Sequence, residues 1–177
     1  MGEINVLSEI LRSRRSVRRF KDEPLSQGDI EKLKEACLRS PSSRNLNPWD
    51  FIFVTKKKIL EELSTLKQHG STFIKNAALA VVVCADADVA DTWIEDCSIA
   101  AIILQLTAQE LGLGSCWVQV RMRNDAAGRS SESIARHATD LPDEKRVLCV
   151  IAIGHPDEFP DPIPRAELDW KKIKDVF

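Results

Sequence analysis

A long apolar segment, WIEDCSIAAIILQLTAQEL at residues 93–111, most constrains what this chain can fold into. Its apolar residues fall on several sides of a helix rather than along one stripe, so the pattern predicts a helix over residues 91–111 that is covered by other elements on most sides. Either the core of one domain or the surface of a second chain could cover such a helix. Gly112 and Gly114 follow directly and end it.

The rest of the chain alternates between strand and helix patterns. Strands are predicted at DFIFVT (50–55), ALAVVVCA (78–85), SCWVQV (115–120) and RVLCVIAIG (146–154), and helices at the amino end, 26–40, 56–67 and 131–139. The first helix is amphipathic through Ile4, Leu7 and Ile10, and the second has Ser26 as its N-cap with Asp29 three residues on. We expect one domain over residues 1–177, of which 155–177 form an extended, proline-rich C-terminal tail.

Two features exclude common alternatives. The glycines of GLG follow a helix and not a strand, which argues against the glycine-rich turn of a dinucleotide-binding Rossmann domain. Five scattered cysteines without a CxxC pair, and three isolated histidines, predict buried reduced thiols and no metal site. No apolar run is long enough to cross a bilayer and the first residues lack a secretory signal, so the expected location is the cytoplasm.

The segment RSRRSVRRF at residues 12–20 packs five arginines into nine positions of a chain whose formal net charge is −2. Three interpretations compete: a solvated cationic helix end, a nucleic-acid arm, or a pocket for one phosphate group. The rest of the chain is net acidic and no aromatic residues interleave with the arginines, so nucleic-acid binding is the least favoured.

Four segments in a fixed order carry a more specific signal: RRSVRRF, SPSSRNLNPWDFIFV, ELGLGSCWV and VIAIGHP. Together they resemble the signatures of the nitroreductase family, homodimeric flavoproteins that hold FMN. The resemblance implies an α+β fold with a mostly antiparallel central sheet of four strands flanked by helices. It also implies an intertwined homodimer in which the C-terminal tail of each chain extends the partner's sheet and FMN lies at the subunit interface.

The resemblance also assigns FMN-binding roles. The phosphate and ribityl chain would be held by the amino-terminal arginine segment and one tail arginine, and the flavin ring would meet a loop from the partner and the end of a strand. These expected cofactor-binding residues are Arg14, Arg15, Ser16, Arg18, Pro41, Ser42, Ser43, Asn45, Cys116, Trp117, Gln119, Val120 and Arg165. Asn47, Val120 and Arg121 depart from the common family pattern, and Arg44 is expected to be solvated.

The implied function is an NAD(P)H-dependent, FMN-dependent oxidoreductase that works by ping-pong hydride transfer to a small acceptor such as a nitroaromatic or a quinone. Such a protein positions its cofactor and substrates, so no catalytic side chain is nominated. The alternative is an FMN-binding protein with a storage, sensor or scaffold role and little turnover.

Overall fold

The fold is seen in a computed structural model that describes residues 6–176. Five helices and four strands follow in the predicted order. They are α1 (Val6–Ser13), α2 (Gln27–Leu38), β1 (Trp49–Val54), α3 (Lys57–Leu63), β2 (Leu79–Asp86), α4 (Trp93–Glu110), β3 (Gly114–Gln119), α5 (Ser131–Thr139) and β4 (Lys145–Gly154). Ile4, which was predicted to belong to the first helix, lies outside the described residues.

Side-chain hydrogen bonds set the start of α2 and the end of α3. Ser26 caps α2, because its hydroxyl oxygen accepts a hydrogen bond from the Asp29 N–H at 3.0 Å, as predicted. α3 ends at Leu63, earlier than the predicted residue 67. The Ser64 hydroxyl donates to the Glu61 carbonyl at 2.7 Å and the Ser71 hydroxyl donates to the Ser64 carbonyl at 2.8 Å, so side chains satisfy groups that another helical turn would have used.

The four strands form one sheet in the order β1-β2-β4-β3, and every neighbouring pair is antiparallel. The predicted α+β class with an antiparallel sheet of four strands is therefore confirmed. The central strands β2 and β4 are buried almost throughout, whereas β1 and β3 are the edge strands. β3 thus has one side of its backbone free for contacts outside the sheet.

The two faces of the sheet carry separate cores. α4 covers one face, where Cys97, Ala101 and Leu104 pack on side chains of β2 and β4, while α3 and α5 cover the other. The prediction that α4 is covered on most sides is met in part within one chain, where the sheet and α2 both pack against it. Ile99 and Ile102 on its outer side are each 40% exposed.

Residues 16–20 link the arginine segment to the sheet. Ser16 pairs with Ser115 in a parallel bridge, and the Val17 N–H donates to the Ser115 carbonyl at 3.0 Å. The segment then crosses the ends of β3 and β4, where Gly114 and Gly154 are cross-strand partners. A methyl group on Gly114 would lie 2.7 Å from a Val17 methyl carbon, so the missing side chain permits this close approach.

The C-terminal tail begins by following the same segment. The Lys21 N–H donates to the His155 carbonyl at 2.9 Å, and the Asp157 N–H donates to the Arg19 carbonyl at 3.0 Å. Beyond this point the tail becomes exposed, with Phe159 82% and Val176 83% accessible. Within one chain the tail therefore leaves large apolar side chains uncovered, and its predicted pairing with a partner's sheet stays a prediction.

Gly114→Ala is expected to destabilise the protein by about 1–3 kcal/mol, because the added methyl group overlaps the Val17 side chain. Val17 cannot easily move away, since its side chain is buried and its N–H is hydrogen-bonded to the Ser115 carbonyl. Gly28→Ala is the matched control, since its nearest neighbour is 3.9 Å away and the residue lies in the first turn of α2. That change should be neutral or stabilising by up to about 1 kcal/mol. Urea unfolding of both variants measures the difference, and equal effects would contradict the close-approach argument.

Candidate functional site

The arginines of residues 12–20 differ in how their charges are compensated. Arg12 pairs with Glu9 at 2.6 Å, Arg19 pairs with Glu158 at 3.3 Å, and the Arg15 guanidinium donates to the Asp161 carbonyl. For Arg14, which is half-buried, and for Arg18, which is exposed, no carboxylate of residues 6–176 lies within ion-pair distance. Arg15 also lacks a carboxylate of these residues within that distance, so the segment keeps three cations, Arg14, Arg15 and Arg18, available for an outside anion.

A cavity of about 470 Å³ lies against this segment. Arg14 and Arg15 line it together with Arg165 of the tail, and Leu11, Ile163 and Leu168 supply apolar walls. Arg165 is exposed, and its guanidinium carbon stands 5.1 Å from the centre of the Trp170 ring. Arg14, Arg15 and Arg165, to which the family resemblance gives the phosphate, thus line one cavity.

Side chains from three segments gather around Cys116 at the start of β3. Burial raises the pKa of the Cys116 thiol, while the charge of Arg18, a hydrogen bond with the Ser16 side chain and the charges of Lys67 and Arg14 oppose that rise. Lys67 was not singled out by the sequence. It follows α3 in a stretch without a recognisable motif, and only the tertiary fold brings its charge close enough to act on Cys116.

The thiols are not reactive groups. Burial raises the pKa of Cys37, Cys84 and Cys97 to about 12, and raises that of Cys149 well above its ordinary value. Thiols with such pKa values stay protonated near neutral pH and are poor nucleophiles. This agrees with the predicted packing role of the cysteines.

At the far end of β3 the polar groups form a short chain of contacts. The indole N–H of the half-buried Trp117 donates to Gln119 Oε1 at 3.0 Å, and Gln119 Nε2 donates to the Arg121 carbonyl at 3.1 Å. The N–H groups of the buried Val120 and of Arg121 both donate to the Leu148 carbonyl. The Gln119 amide is therefore held in one orientation by the chain itself.

The loop that contains Pro41, Ser42, Ser43 and Asn45 is fastened to the amino end of α4. The Ser43 N–H donates to Asp96 Oδ1 at 2.9 Å, and Asp96 is itself almost fully buried. Arg44 and Asn45 have φ angles of 53° and 55°, a conformation that is uncommon for residues other than glycine. Pro41 and Asn45 are exposed, so the loop presents them outward.

Arg44 was expected to be solvated. Its side chain is 63% exposed, yet it also pairs with Asp91 just before α4. The ion pair lies at the surface and is worth at most about 1 kcal/mol.

Within one chain the loop and the arginine segment lie at opposite ends of α4. Gln105 Nε2 donates to the Ser115 hydroxyl at 3.2 Å and Gln109 contacts Ser13, whereas Asp96 holds the loop. Residues 96 and 109 are separated by roughly 20 Å along a helix that rises about 1.5 Å per residue. The chain by itself therefore does not bring residues 41–45 against the arginines.

A second charged cluster lies beside Trp93 at the amino end of α4. Glu132 is buried and accepts hydrogen bonds from Arg146 Nε at 2.9 Å, from Arg146 Nη2 at 3.0 Å and from the Val147 N–H at 3.2 Å. Burial by itself raises the pKa of the Glu132 carboxyl. The hydrogen bonds and charge of Arg146 and the Val147 amide outweigh it and hold the pKa below its ordinary value.

Residues 6–176 contain neither a candidate metal cluster nor a candidate membrane-spanning helix. No group of three or more His, Cys, Asp or Glu side chains there could hold a metal ion. Over the same part of the chain, no helix combines the length and apolar character needed to span a bilayer.

The sequence profile of the nitroreductase family matches residues 11–88 and 65–155 of the chain. The chain belongs to the nitroreductase family. It is 33% identical over 157 residues to a protein of Archaeoglobus fulgidus provisionally named NADH dehydrogenase/NAD(P)H nitroreductase. The aligned region covers 86% of this chain and 87% of the relative. The resemblance seen in the sequence is thereby confirmed.

Solved structures of nitroreductases share the whole fold. An FMN-dependent nitroreductase from Clostridium difficile R20291 is 41% identical, with a TM-score of 0.91 over 94% of this chain and 96% of that one. A protein from Parabacteroides distasonis, provisionally named NADH dehydrogenase/NAD(P)H nitroreductase, is 32% identical, with a TM-score of 0.87 over 97% and 98% of the two chains. The nitroreductase fold thus extends over nearly all of this chain.

Glu132→Gln is expected to destabilise the protein by about 1–3 kcal/mol at neutral pH, because it removes the anion that Arg146 and Val147 face. The folded-state pKa of Glu132 is lowered, so its stabilisation is present above the unfolded value of about 4.5 and is lost as the pH falls through the folded value. The difference between variant and wild type should therefore shrink below about pH 4.5.

Denaturant unfolding between pH 3 and pH 8 measures this difference. Glu35→Gln is the control, since Glu35 pairs with Arg39 at an exposed site and should change stability by less than about 0.5 kcal/mol at every pH. A pH-independent loss in Glu132→Gln would contradict the assignment to charge.

Proposed function

We propose that this nitroreductase-family protein is an FMN-dependent oxidoreductase that uses NADH or NADPH to reduce a small acceptor such as a nitroaromatic or a quinone. The observation that carries the proposal is the cavity at the amino-terminal segment. There a half-buried Arg14 without a carboxylate partner among the described residues lies beside Arg15 and Arg165.

The donors present fit the phosphate end of FMN. A phosphate monoester carries nearly two negative charges and three acceptor oxygens, and the planar fork of arginine satisfies such oxygens in pairs. Arg14, Arg15 and Arg165 would hold the phosphate, Ser16 would add a hydroxyl donor, and Arg18 and Lys67 would add positive charge near Cys116.

The other end of β3 would orient the flavin ring. Trp117, Gln119 and Val120 lie there, with the Gln119 amide fixed between Trp117 and the Arg121 carbonyl. Residues 41–45 would reach the ring from the partner subunit, because their own chain keeps them at the opposite end of α4 from the arginine segment. When bound, FMN supplies the hydride chemistry, alternating between oxidation of NAD(P)H and reduction of the acceptor.

A homodimer accounts for the apolar surface that one chain leaves uncovered. Ile99 and Ile102 on the outer side of α4 are exposed, and so are Phe159, Trp170 and Ile173 of the tail. A second copy would cover the outer side of α4, and the tail would pair along the partner's sheet. The five buried, free cysteines suit a reducing compartment, which favours the cytoplasm.

The absorption spectrum of the purified protein tests the proposal directly. Bound FMN should give flavin absorption bands, and anaerobic addition of NADH or NADPH should bleach them. Initial rates with a nitroaromatic or quinone should then give parallel double-reciprocal lines, the pattern of a ping-pong mechanism. A colourless protein that takes up no added FMN would overturn the cofactor assignment. Bound FMN that neither nicotinamide reduces would leave the storage, sensor or scaffold alternative.

Arg14→Gln is expected to raise the dissociation constant for FMN by about tenfold or more, since it removes a charged donor from the phosphate. Riboflavin lacks that phosphate, so its affinity for the apoprotein should stay within about twofold of wild type. Flavin fluorescence titration measures both constants. Arg39→Gln serves as control, because Arg39 is exposed and paired with Glu35. Equal losses for both flavins would show that Arg14 has a structural role instead.

Ile102→Lys is expected to shift the protein from dimer to monomer, because it places a charge in the outer face of α4 where the partner would pack. Size-exclusion chromatography with light scattering measures the mass. Val89→Lys is the matched control, since Val89 is 46% exposed in the turn before α4, outside the helix face assigned to the partner. A wild-type monomer, or an Ile102→Lys dimer of unchanged stability, would contradict this interface.

A further inference from the structure

Two guanidinium groups lie against Trp93 near the carboxyl end of β3. The Arg146 guanidinium carbon is 5.7 Å from the centre of the Trp93 ring and that of Arg121 is 5.9 Å away. Trp93 is only 7% exposed, so its ring is a fixed platform for both cations.

The two arginines differ in their charge partners. Arg146 makes two hydrogen bonds with the Glu132 carboxylate, at 2.9 and 3.0 Å, so its charge is compensated. No carboxylate of residues 6–176 lies within ion-pair distance of Arg121. Its Nε is buried without a hydrogen-bond partner in that part of the chain, and its Nη1 contacts only the Met122 sulfur. A half-buried cation therefore remains uncompensated.

The chain holds the backbone of Arg121 in place on both sides. The Arg121 N–H donates to the Leu148 carbonyl at 3.0 Å, and the Arg121 carbonyl accepts from Gln119 Nε2 at 3.1 Å. A turn follows in which the Arg123 N–H donates to the Val120 carbonyl, with Met122 at φ 58° where glycine is usually favoured. The fixed backbone, together with the contact of the guanidinium with Trp93, lowers the entropy lost when Arg121 binds an anion.

We propose that Arg121 binds the carboxylate of an anionic electron acceptor, so that the preferred substrates carry an acidic group. This inference rests on the proposed function, which puts the flavin ring at the Gln119 end of β3. Arg121 lies two residues beyond Gln119, at the end where the acceptor must meet the ring. The 2′-phosphate of NADPH is remote from the reacting carbon of nicotinamide, so a cation close to the ring fits an acceptor group better.

The test uses 4-nitrobenzoate and 4-nitrobenzamide, which share the ring and the nitro group but differ in charge. Isothermal titration calorimetry on the oxidised, FMN-loaded protein gives both dissociation constants without turnover. Wild type should bind 4-nitrobenzoate at least about tenfold more tightly, and Arg121→Gln should remove that preference while leaving 4-nitrobenzamide within about twofold. Arg121→Lys, which keeps the charge, should retain part of the preference.

Arg123→Gln is the matched control. Arg123 is an exposed arginine of the same turn whose guanidinium donates to the Met122 carbonyl, so its loss should leave the ratio unchanged. Equal weakening of both ligands in Arg121→Gln, or a ratio that stays as in wild type, overturns the anion site. A change confined to NADPH relative to NADH would assign the oxyanion to the electron donor and overturn the acceptor assignment.

Steady-state rates separate this inference from the function on which it rests. With NADH as donor, the ratio of kcat/KM for 4-nitrobenzoate to that for 4-nitrobenzamide should fall in Arg121→Gln as the binding ratio does. Turnover of both compounds without a preference overturns the anion site and leaves the reductase proposal standing. Bound FMN that neither nicotinamide reduces defeats the reductase proposal, while the calorimetric preference still decides whether Arg121 binds a carboxylate.

Discussion

The close approach of residues 16–20 to the ends of β3 and β4 is the contact on which the rest of the site depends. Gly114 and Gly154 face each other across the sheet, and side chains there would overlap Val17 and Phe20. Because both positions lack a side chain, residues 16–20 can lie directly against the start of β3 and the end of β4. Gly114 and Gly154 are therefore as necessary to the position of the arginine segment as the arginines are to its charge.

Residues of α4 contact both ends of β3. The helix runs against β3 so that Gln105 meets Ser115 at one end, while Trp93 meets Arg121 at the other. A ligand along β3 would find the arginine-lined cavity at one end and the Arg121 cation at the other. The same helix shows an apolar outer side and holds residues 41–45, which explains why one long apolar helix would serve the core, a subunit interface and the placement of the loop.

The sequence predicted the elements well because each one depends on local patterns. The Ser26 cap and the buried strands could be seen from neighbouring residues alone, and the arginine segment from its density of charge. α3 was predicted too long, since the hydroxyls of Ser64 and Ser71 end it through contacts that periodicity does not show. Lys67 and the pairing of Arg121 with Trp93 went unnoticed, because both join residues far apart in the chain. The family resemblance supplied Arg165, which the structure places in the same cavity as Arg14.

Which arginines have a carboxylate partner says more about function than the number of charges does. The chain has 27 acidic and 25 basic residues, so carboxylates are not scarce. Arg12, Arg19 and Arg146 each receive one. Arg14, beside the cavity at the start of β3, and Arg121, just beyond its end, receive none from residues 6–176. A half-buried guanidinium without an anion is costly, since desolvation weakens its hydration without a compensating pair. Such a cost at both ends of one strand is understandable if two separate anionic groups, one of the cofactor and one of the substrate, complete the pairs.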